Sequence, residues 1–221
     1  LIPVENPEAQ TVRWDQVNGV LFDLDGTLYS QPRLRLLMVK EMVLYFAAHP
    51  LQIGQLRVLF HFRRLRERHG FRGGNIGHGQ YEVTATALGV TEEYVREAVD
   101  RWILREPLKH LAACKFKHVD PVFARLKAGG KGIAIVSDYP VREKMEWLGL
   151  EADVAVCATD PDVDCFKPDP KGFLVAAAKL GLAPHECLVV GDRDEKDGEA
   201  ARAAGMVFLH STLLGMESSR M

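Results

Sequence analysis

Short apolar runs rich in Val, Ile and Leu recur along the chain with little polar alternation: NGVLFDL (18–24), GIAIVS (132–137), DVAVCA (153–158), CLVVGD (187–192) and MVFLH (206–210). Their length predicts strands, and the missing alternation predicts strands buried on both faces. Stretches of helical spacing lie between or before the last four, at roughly 119–129, 140–149, 170–181 and 196–204. Each ends near a glycine, Gly129, Gly149, Gly181 or Gly205, the residue that most readily takes the left-handed conformation closing a helix. Strand and helix in alternation predict an α/β protein with a doubly wound parallel sheet.

Residues 30–114 break that pattern. They are rich in Leu, Arg, Ala and Glu, and segments such as RLRLLMVKEMVLYFAAH and TEEYVREAVDRWIL have helical apolar spacing. The glycine-rich HGFRGGNIGHG (69–79) reads as a loop between the two halves. The predicted layout is a helical insert, 30–114, placed just after the first strand of a core built from 13–29 and 115–221. No internal repeat or low-complexity tract interrupts it.

With 221 residues and 47% hydrophobic content, the chain can bury a substantial core without staples. Its 28 basic and 30 acidic residues leave a net charge of -2, which points the chain as a whole toward neither nucleic acid nor a membrane surface. The distribution is uneven: residues 30–114 hold 13 basic against 8 acidic residues, and the remainder 15 against 22. A basic insert therefore accompanies an acidic core. Cys114, Cys157, Cys165 and Cys187 form no CxxC pair or Cys/His metal spacing, so free thiols in a reducing, cytoplasmic setting are expected. No segment approaches the roughly 20 apolar residues that span a bilayer, and the N-terminus shows no basic-then-apolar leader. The expectation is a soluble protein, with oligomeric state left open and no weight placed on residues 1–12.

In a doubly wound sheet, ligands bind beyond the carboxyl ends of the strands. At those ends the sequence places Asp23 and Asp25, then Ser137 and Asp138, then Lys167 in FKPDP, then Asp192 and Asp197 in VGDRDEKDG. A plain turn would account for Asp and Gly at any one strand end. The whole set, carboxylates with a hydroxyl and an ammonium, suits a phosphoryl group and a divalent metal. Phosphoryl transfer needs an in-line nucleophile and positive charge around the transferring oxygens. Asp23 is the candidate nucleophile, forming an acyl phosphate. Magnesium, which prefers oxygen ligands, would be held by Asp23, Asp192 and a backbone carbonyl near Asp25, with Asp197 steadying a metal-bound water. Lys167 would steady the nucleophile, and Ser137 would donate to a phosphoryl oxygen. Asp25 shares a face with Asp23, and Gly26 permits the sharp turn that follows. A general acid and base role for Asp25 follows from that placement. Thr27 is expected to brace the turn, and Asp169 to cap a helix that starts with Pro170.

DLDGT, the apolar strand ending in Ser137, KPDP and GDRDEKD, in that order, resemble the four signature motifs of the haloacid dehalogenase superfamily. The resemblance covers residues 18–29 and 115–210, and the insert is similar to that superfamily's small helical cap. It implies a Rossmann-like core, magnesium dependence and an aspartyl-phosphate intermediate. The implied catalytic residues are Asp23, Asp25, Ser137 and Lys167, and the implied metal site is Asp23, Asp25, Asp192 and Asp197. The founding dehalogenases lack the second aspartate of the first motif, so Asp25 favours a phosphatase acting on a small phosphorylated metabolite. SDYP after the second motif departs from many relatives and leaves the role of Asp138 open. The alternatives are a phosphomutase, a phosphonate hydrolase, or a regulatory protein on the same fold. A phosphonate hydrolase would need an insert lysine, and only Lys40 and Lys109 exist. A signalling receiver domain shares the Asp, hydroxyl and Lys chemistry but lacks the large insert.

Within the insert, Arg57, Arg63, Arg64, Arg66, Arg68 and Arg72 face a single acid, Glu67, over residues 57–72. They form either a solvated helix face or a grip on an anionic substrate. His49, His61, His69 and His78 match no metal spacing, and His78 is the candidate for substrate contact. Trp14, Trp102 and Trp147 read as packing residues. No GxGxxG follows a strand, no GxxxxGK(S/T) occurs, and no aromatic residues interleave the basic run, which removes the main support for nucleotide-cofactor or nucleic-acid readings.

Overall fold

The computed structural model describes residues 12–67 and 74–213. Five parallel strands, β1 (Gly19–Phe22), β2 (Gly132–Ser137), β3 (Val154–Cys157), β4 (Cys187–Gly191) and β5 (Val207–His210), form one sheet in the order β3-β2-β1-β4-β5. The first strand lies in the middle, so the chain reverses its winding direction beside β1 and opens a crevice there.

The missing alternation in the apolar runs has a direct structural cause. On β1, Val20 and Phe22 join a cluster with Ile133, Ile135, Leu188 and Val190, while Leu21 joins a second one with Ala134, Val136, Val189 and Phe173. Successive side chains point to opposite faces, and helices cover both. Phe22 packs in a tilted arrangement on Phe123 of the helix before β2, with ring centroids 5.0 Å apart. Each such buried aromatic or aliphatic side chain contributes about 1.5–3 kcal/mol relative to exposure.

Helices α1 (Gln31–Ala48), α2 (Gln55–Glu67), α3 (Ile76–Leu88), α4 (Glu92–Val99) and α5 (Leu108–Cys114) separate β1 from β2. A π-helical stretch, Asp100–Arg105, continues α4 toward α5. Ser30 caps α1 by accepting from the Arg33 amide, and Thr91 caps α4 in the same way. The segment expected to be a loop over 69–79 lies partly outside the described residues. From Ile76 onward it is instead the first turn of α3, because the Asn75 side chain accepts from the His78 amide and starts the helix. Asp164 fastens that start to the core, its carboxylate accepting from the Asn75 and Ile76 amides at 2.6 and 2.7 Å.

The remaining helices are α6 (Val119–Ala128), α7 (Arg142–Leu148), α8 (Lys171–Leu180) and α9 (Glu199–Ala203). Gly149, Gly181 and Gly205 take positive φ at the ends of α7, α8 and α9, as expected, but after α6 the left-handed residue is Gly130 and not Gly129. The expected helix over 196–204 is divided, with a π-helical turn at Asp194–Gly198 preceding α9. Asp169 accepts from the Lys171 amide at 3.0 Å, but α8 begins at Lys171, so Pro170 and not Asp169 occupies the cap position. The four cysteines are free thiols. Trp102 is buried, whereas Trp14 and Trp147 are half exposed and pack less than expected. Among the described residues, no helix is long and apolar enough to cross a membrane.

Candidate active site

Phe22 is level with Ile135 on β2 and Val190 on β4, so the positions after Phe22 come level with Val136 and Gly191. Asp23, Ser137 and Asp192 therefore leave the sheet within one residue of one another on three adjacent strands, which stand about 4.8 Å apart. The register alone brings these three motif residues together. Lys167 and Asp197 come to the same place from the loop before α8 and from the π-helical turn after β4.

Carboxylate oxygens of Asp23, Asp192 and Asp197 lie within 4.8 Å of one another. Lys167 sits between two of them, its Nζ 2.5 Å from Asp23 Oδ1 and 2.5 Å from Asp197 Oδ1. Thr27 donates to Asp23 Oδ2 at 3.1 Å, so it braces the turn through the candidate nucleophile itself. Asp197 also accepts from the Arg193 amide at 3.2 Å. Asp192 Oδ1 is buried and has no hydrogen-bond donor. A carboxylate oxygen left in that state costs free energy unless a cation or solvent meets it. Two glycines make the crowding possible: a Cβ on Gly26, whose φ is +105°, would stand 2.1 Å from Asp192 Oδ2, and one on Gly191 would stand 2.5 Å from Asp197. Three carboxylates with oxygens this close, and an Asp192 oxygen without a donor, fit a hard divalent cation.

Asp25 has a different environment. Its carboxylate accepts from Lys144 Nζ at 2.5 Å, from Ser137 Oγ at 3.1 Å and from the Tyr29 hydroxyl. The Asp25 side chain thus stands apart from the three-carboxylate cluster, and the Ser137 hydroxyl is directed to Asp25. Asp138, whose role was open, fixes the loop that carries Lys167: its Oδ1 accepts from the Lys167 amide at 3.1 Å, and Lys196 lies 3.7 Å from its Oδ2.

The electrostatics separate the carboxylates. Burial pushes the Asp23 carboxyl well above the usual carboxylate range; Lys167 opposes this, while Asp197 and Asp25 add to it. Burial would also raise Asp25, but the Lys144 ammonium and the three hydrogen bonds hold it below its ordinary value. Asp192 is raised by burial and by the neighbouring Asp197. Burial disfavours the Lys167 ammonium, yet Asp23, Asp197 and Asp138 together hold it firmly protonated.

Above this floor is a cavity of about 360 Å³, lined on one side by the core residues and on the other by α1, α2, the π-helical stretch and α5. Of the basic run, Arg63 lines it. Arg66 is buried elsewhere, donating to the Asp138 carbonyl and standing over the Tyr139 and Phe166 rings at 4.0 and 4.3 Å. Glu67 pairs with Arg193 at 3.0 Å and with Lys196 at 3.5 Å, joining α2 to the strand ends. Arg68, Arg72 and His69 lie outside the described residues. His78 faces Glu92 at 3.4 Å and Glu82 at 3.9 Å and does not line the cavity. Neither Lys40 nor Lys109 lines it either; Lys109 is taken up by Glu41 and Glu106.

Sequence reading missed Lys144, Tyr29, Lys196 and the Glu67–Arg193 pair. One signal existed for Lys144: it belongs to the first turn of the helix that follows Ser137, where a side chain can reach back over the strand end.

Residues 17–205 match the family model described as haloacid dehalogenase-like hydrolase. A phosphoglycolate phosphatase of Xanthomonas campestris pv. campestris (strain 8004) is 31% identical over 193 residues, covering 85% of this chain and 80% of its own. A glyceraldehyde 3-phosphate phosphatase of Methanopyrus kandleri is 28% identical over 200 residues, covering 86% and 82%. Among solved structures, a phosphatase of Thermococcus onnurineus is similar in fold, with a TM-score of 0.60 at 24% identity over 87% of this chain and 85% of that one.

Proposed function

Since this chain belongs to the haloacid dehalogenase-like hydrolases and is a phosphoric monoester hydrolase, we propose that it is a magnesium-dependent phosphatase working through a phosphorylated Asp23. Residues 30–114 act as a cap closing the substrate cavity over a core of 13–29 and 115–221. The observation that carries the reading is the convergence of Asp23, Asp192 and Asp197 around Lys167, with Asp192 Oδ1 left without a donor.

Asp23, Asp192 and Asp197 would hold the metal, with the backbone carbonyl of Asp25 as a further ligand. Bound magnesium supplies positive charge that lets an anionic nucleophile and an anionic phosphoryl group approach each other. A carboxylate oxygen of Asp23 attacks phosphorus, the Asp23 O–P bond forms and the bond to the leaving oxygen breaks. Lys167 keeps the nucleophile in place and offsets charge on the phosphoryl oxygens. Ser137 donates toward the same oxygens once substrate draws its hydroxyl from Asp25.

Asp25 handles the protons. Its pairing with Lys144 keeps it ionised at rest, so the proton it passes to the leaving oxygen arrives with a substrate bound as the phosphate monoanion. In the second step Asp25 accepts a proton from the attacking water as the water oxygen–phosphorus bond forms and the Asp23 O–P bond breaks; phosphate departs with that proton, which leaves Asp25 ionised again. A screen of phosphorylated metabolites with magnesium tests this reading. Turnover disappears in Asp23→Asn and nearly so in Asp25→Asn, and acid-quenched wild-type protein carries covalent phosphate that Asp23→Asn lacks. Undiminished activity in either variant would remove the proposed roles.

A further inference from the structure

We propose that the alcohol part of the substrate carries an apolar body seated against the inner wall of the insert, in place of a short carboxylate such as glycolate. This rests on the phosphatase reading above and names its substrate class. The wall is built from Leu34, Met38 and Met42, which recur every four residues along α1, and from Trp102, Ile103 and Leu111, all but Met42 buried in one apolar cluster. All six line the same cavity as Asp23 and Asp192. Trp102 and Ile103 come from the π-helical stretch, a deviation that recurs at functional sites. The two methionines suit an apolar ligand of irregular outline, because their unbranched chains adapt to it.

The cations of the cavity argue the same way. Lys144 is paired with Asp25, Lys167 with Asp23 and Asp197, Lys196 with Glu67 and Asp138, and Arg193 with Glu67 and Glu195. Beside the reacting groups, a carboxylate two carbons from the phosphorus would meet ammonium and guanidinium groups already paired with protein carboxylates, or the apolar wall, where its burial is costly. The cavity's other guanidiniums, Arg35 and Arg63, are solvent-exposed. A volume of about 360 Å³ also falls in the range of pockets for ligands larger than a two-carbon acid.

Ethyl, butyl and hexyl phosphate provide the test, since they share one leaving-group chemistry and differ only in apolar length. With magnesium present, kcat/KM rises about fourfold for each methylene that enters the wall, and hexyl phosphate is preferred to phosphoglycolate. Met42→Lys, at a half-buried position, flattens the series and shifts the preference toward phosphoglycolate. Should that variant not fold, the wild-type series decides alone. A flat wild-type series, or a preference for phosphoglycolate, overturns the proposal and leaves the phosphatase reading standing. Failure to hydrolyse any phosphate ester overturns both.

Discussion

Asp192→Asn separates the cost of the metal site from its benefit. Asp192 Oδ1 is buried without a donor, and its ligand oxygen lies within 4.8 Å of those of Asp23 and Asp197. At that separation and an effective dielectric near 20, two ionised carboxylates repel by about 3.5 kcal/mol. Lys167, in contact with Asp23 and Asp197, offsets part of this but does not pair with Asp192. Burial and Asp197 raise the Asp192 pKa above its unfolded value. For an acid shifted in that direction, stability falls as pH rises through the unfolded and folded pKa values, so at neutral pH the ionised group destabilises the metal-free protein. Asparagine keeps the shape and removes the charge. The metal-free variant should be more stable by on the order of 1 kcal/mol, a rise of about 2–4 °C in Tm for a chain of this size. Magnesium at about a hundred times its Kd should add roughly 2.7 kcal/mol to the wild type and far less to the variant. Thermal unfolding of chelator-treated protein, with and without magnesium, measures both. A variant less stable than wild type without metal, or equally stabilised by magnesium, would refute the reasoning.

Lys144→Met leaves the Asp25 carboxylate buried with two hydrogen bonds and no counter-ion, the side chains of the pair being only 9% and 13% exposed. It should cost about 3 kcal/mol in urea unfolding at neutral pH, and adding Asp25→Asn should recover most of that loss; additive losses would count against a direct pair. Glu67→Gln tests the link between α2 and the strand ends. Hydrogen bonding from Arg193 holds the Glu67 carboxyl below its ordinary value, so its contribution is present above the unfolded pKa of about 4.3 and lost as pH falls through the folded value. Because that side chain is 55% exposed, the stability difference from wild type should stay below about 1 kcal/mol near neutrality and vanish in acid; a difference that persists at low pH would assign it to something other than this charge.

The sheet was legible because its strands are buried on both faces. GIAIVS over 132–137 coincides with β2 to the residue, and the other four runs overshoot their strands by one to three residues. The overshoot has a physical basis at β1, where the Asp23 amide still bonds the Val190 carbonyl at 2.8 Å after the regular strand has ended. Helix starts were less legible where polar residues set them. DRDEKDG offers no apolar periodicity, so the π-helical turn that carries Asp197 was indistinguishable from the helix after it. Asn75, which adopts φ 65° and initiates α3, was hidden in a glycine-rich stretch whose composition suggests a loop.

The motif residues and their partners differ in how the chain fixes them. Asp23, Ser137 and Asp192 follow apolar strands directly, and a parallel sheet in register turns three such positions into neighbours with no further information. Asp25 is placed near them by its two-residue spacing from Asp23, but its environment is not fixed that way: Lys144 comes from α7, and a lysine in helical sequence ordinarily faces solvent. The same holds for Glu67 and Arg66 on α2, which read as one charged run yet divide, one taken up by Arg193 and Lys196 and the other buried under Tyr139 and Phe166. Strand ends can thus be located along a sequence, whereas the counter-ions that decide their protonation depend on how helices rotate onto the sheet. That rotation is set by packing contacts such as Phe22 on Phe123, which lie a hundred residues apart in the chain. The pattern therefore discloses which groups meet, and the tertiary packing decides which of them carry charge.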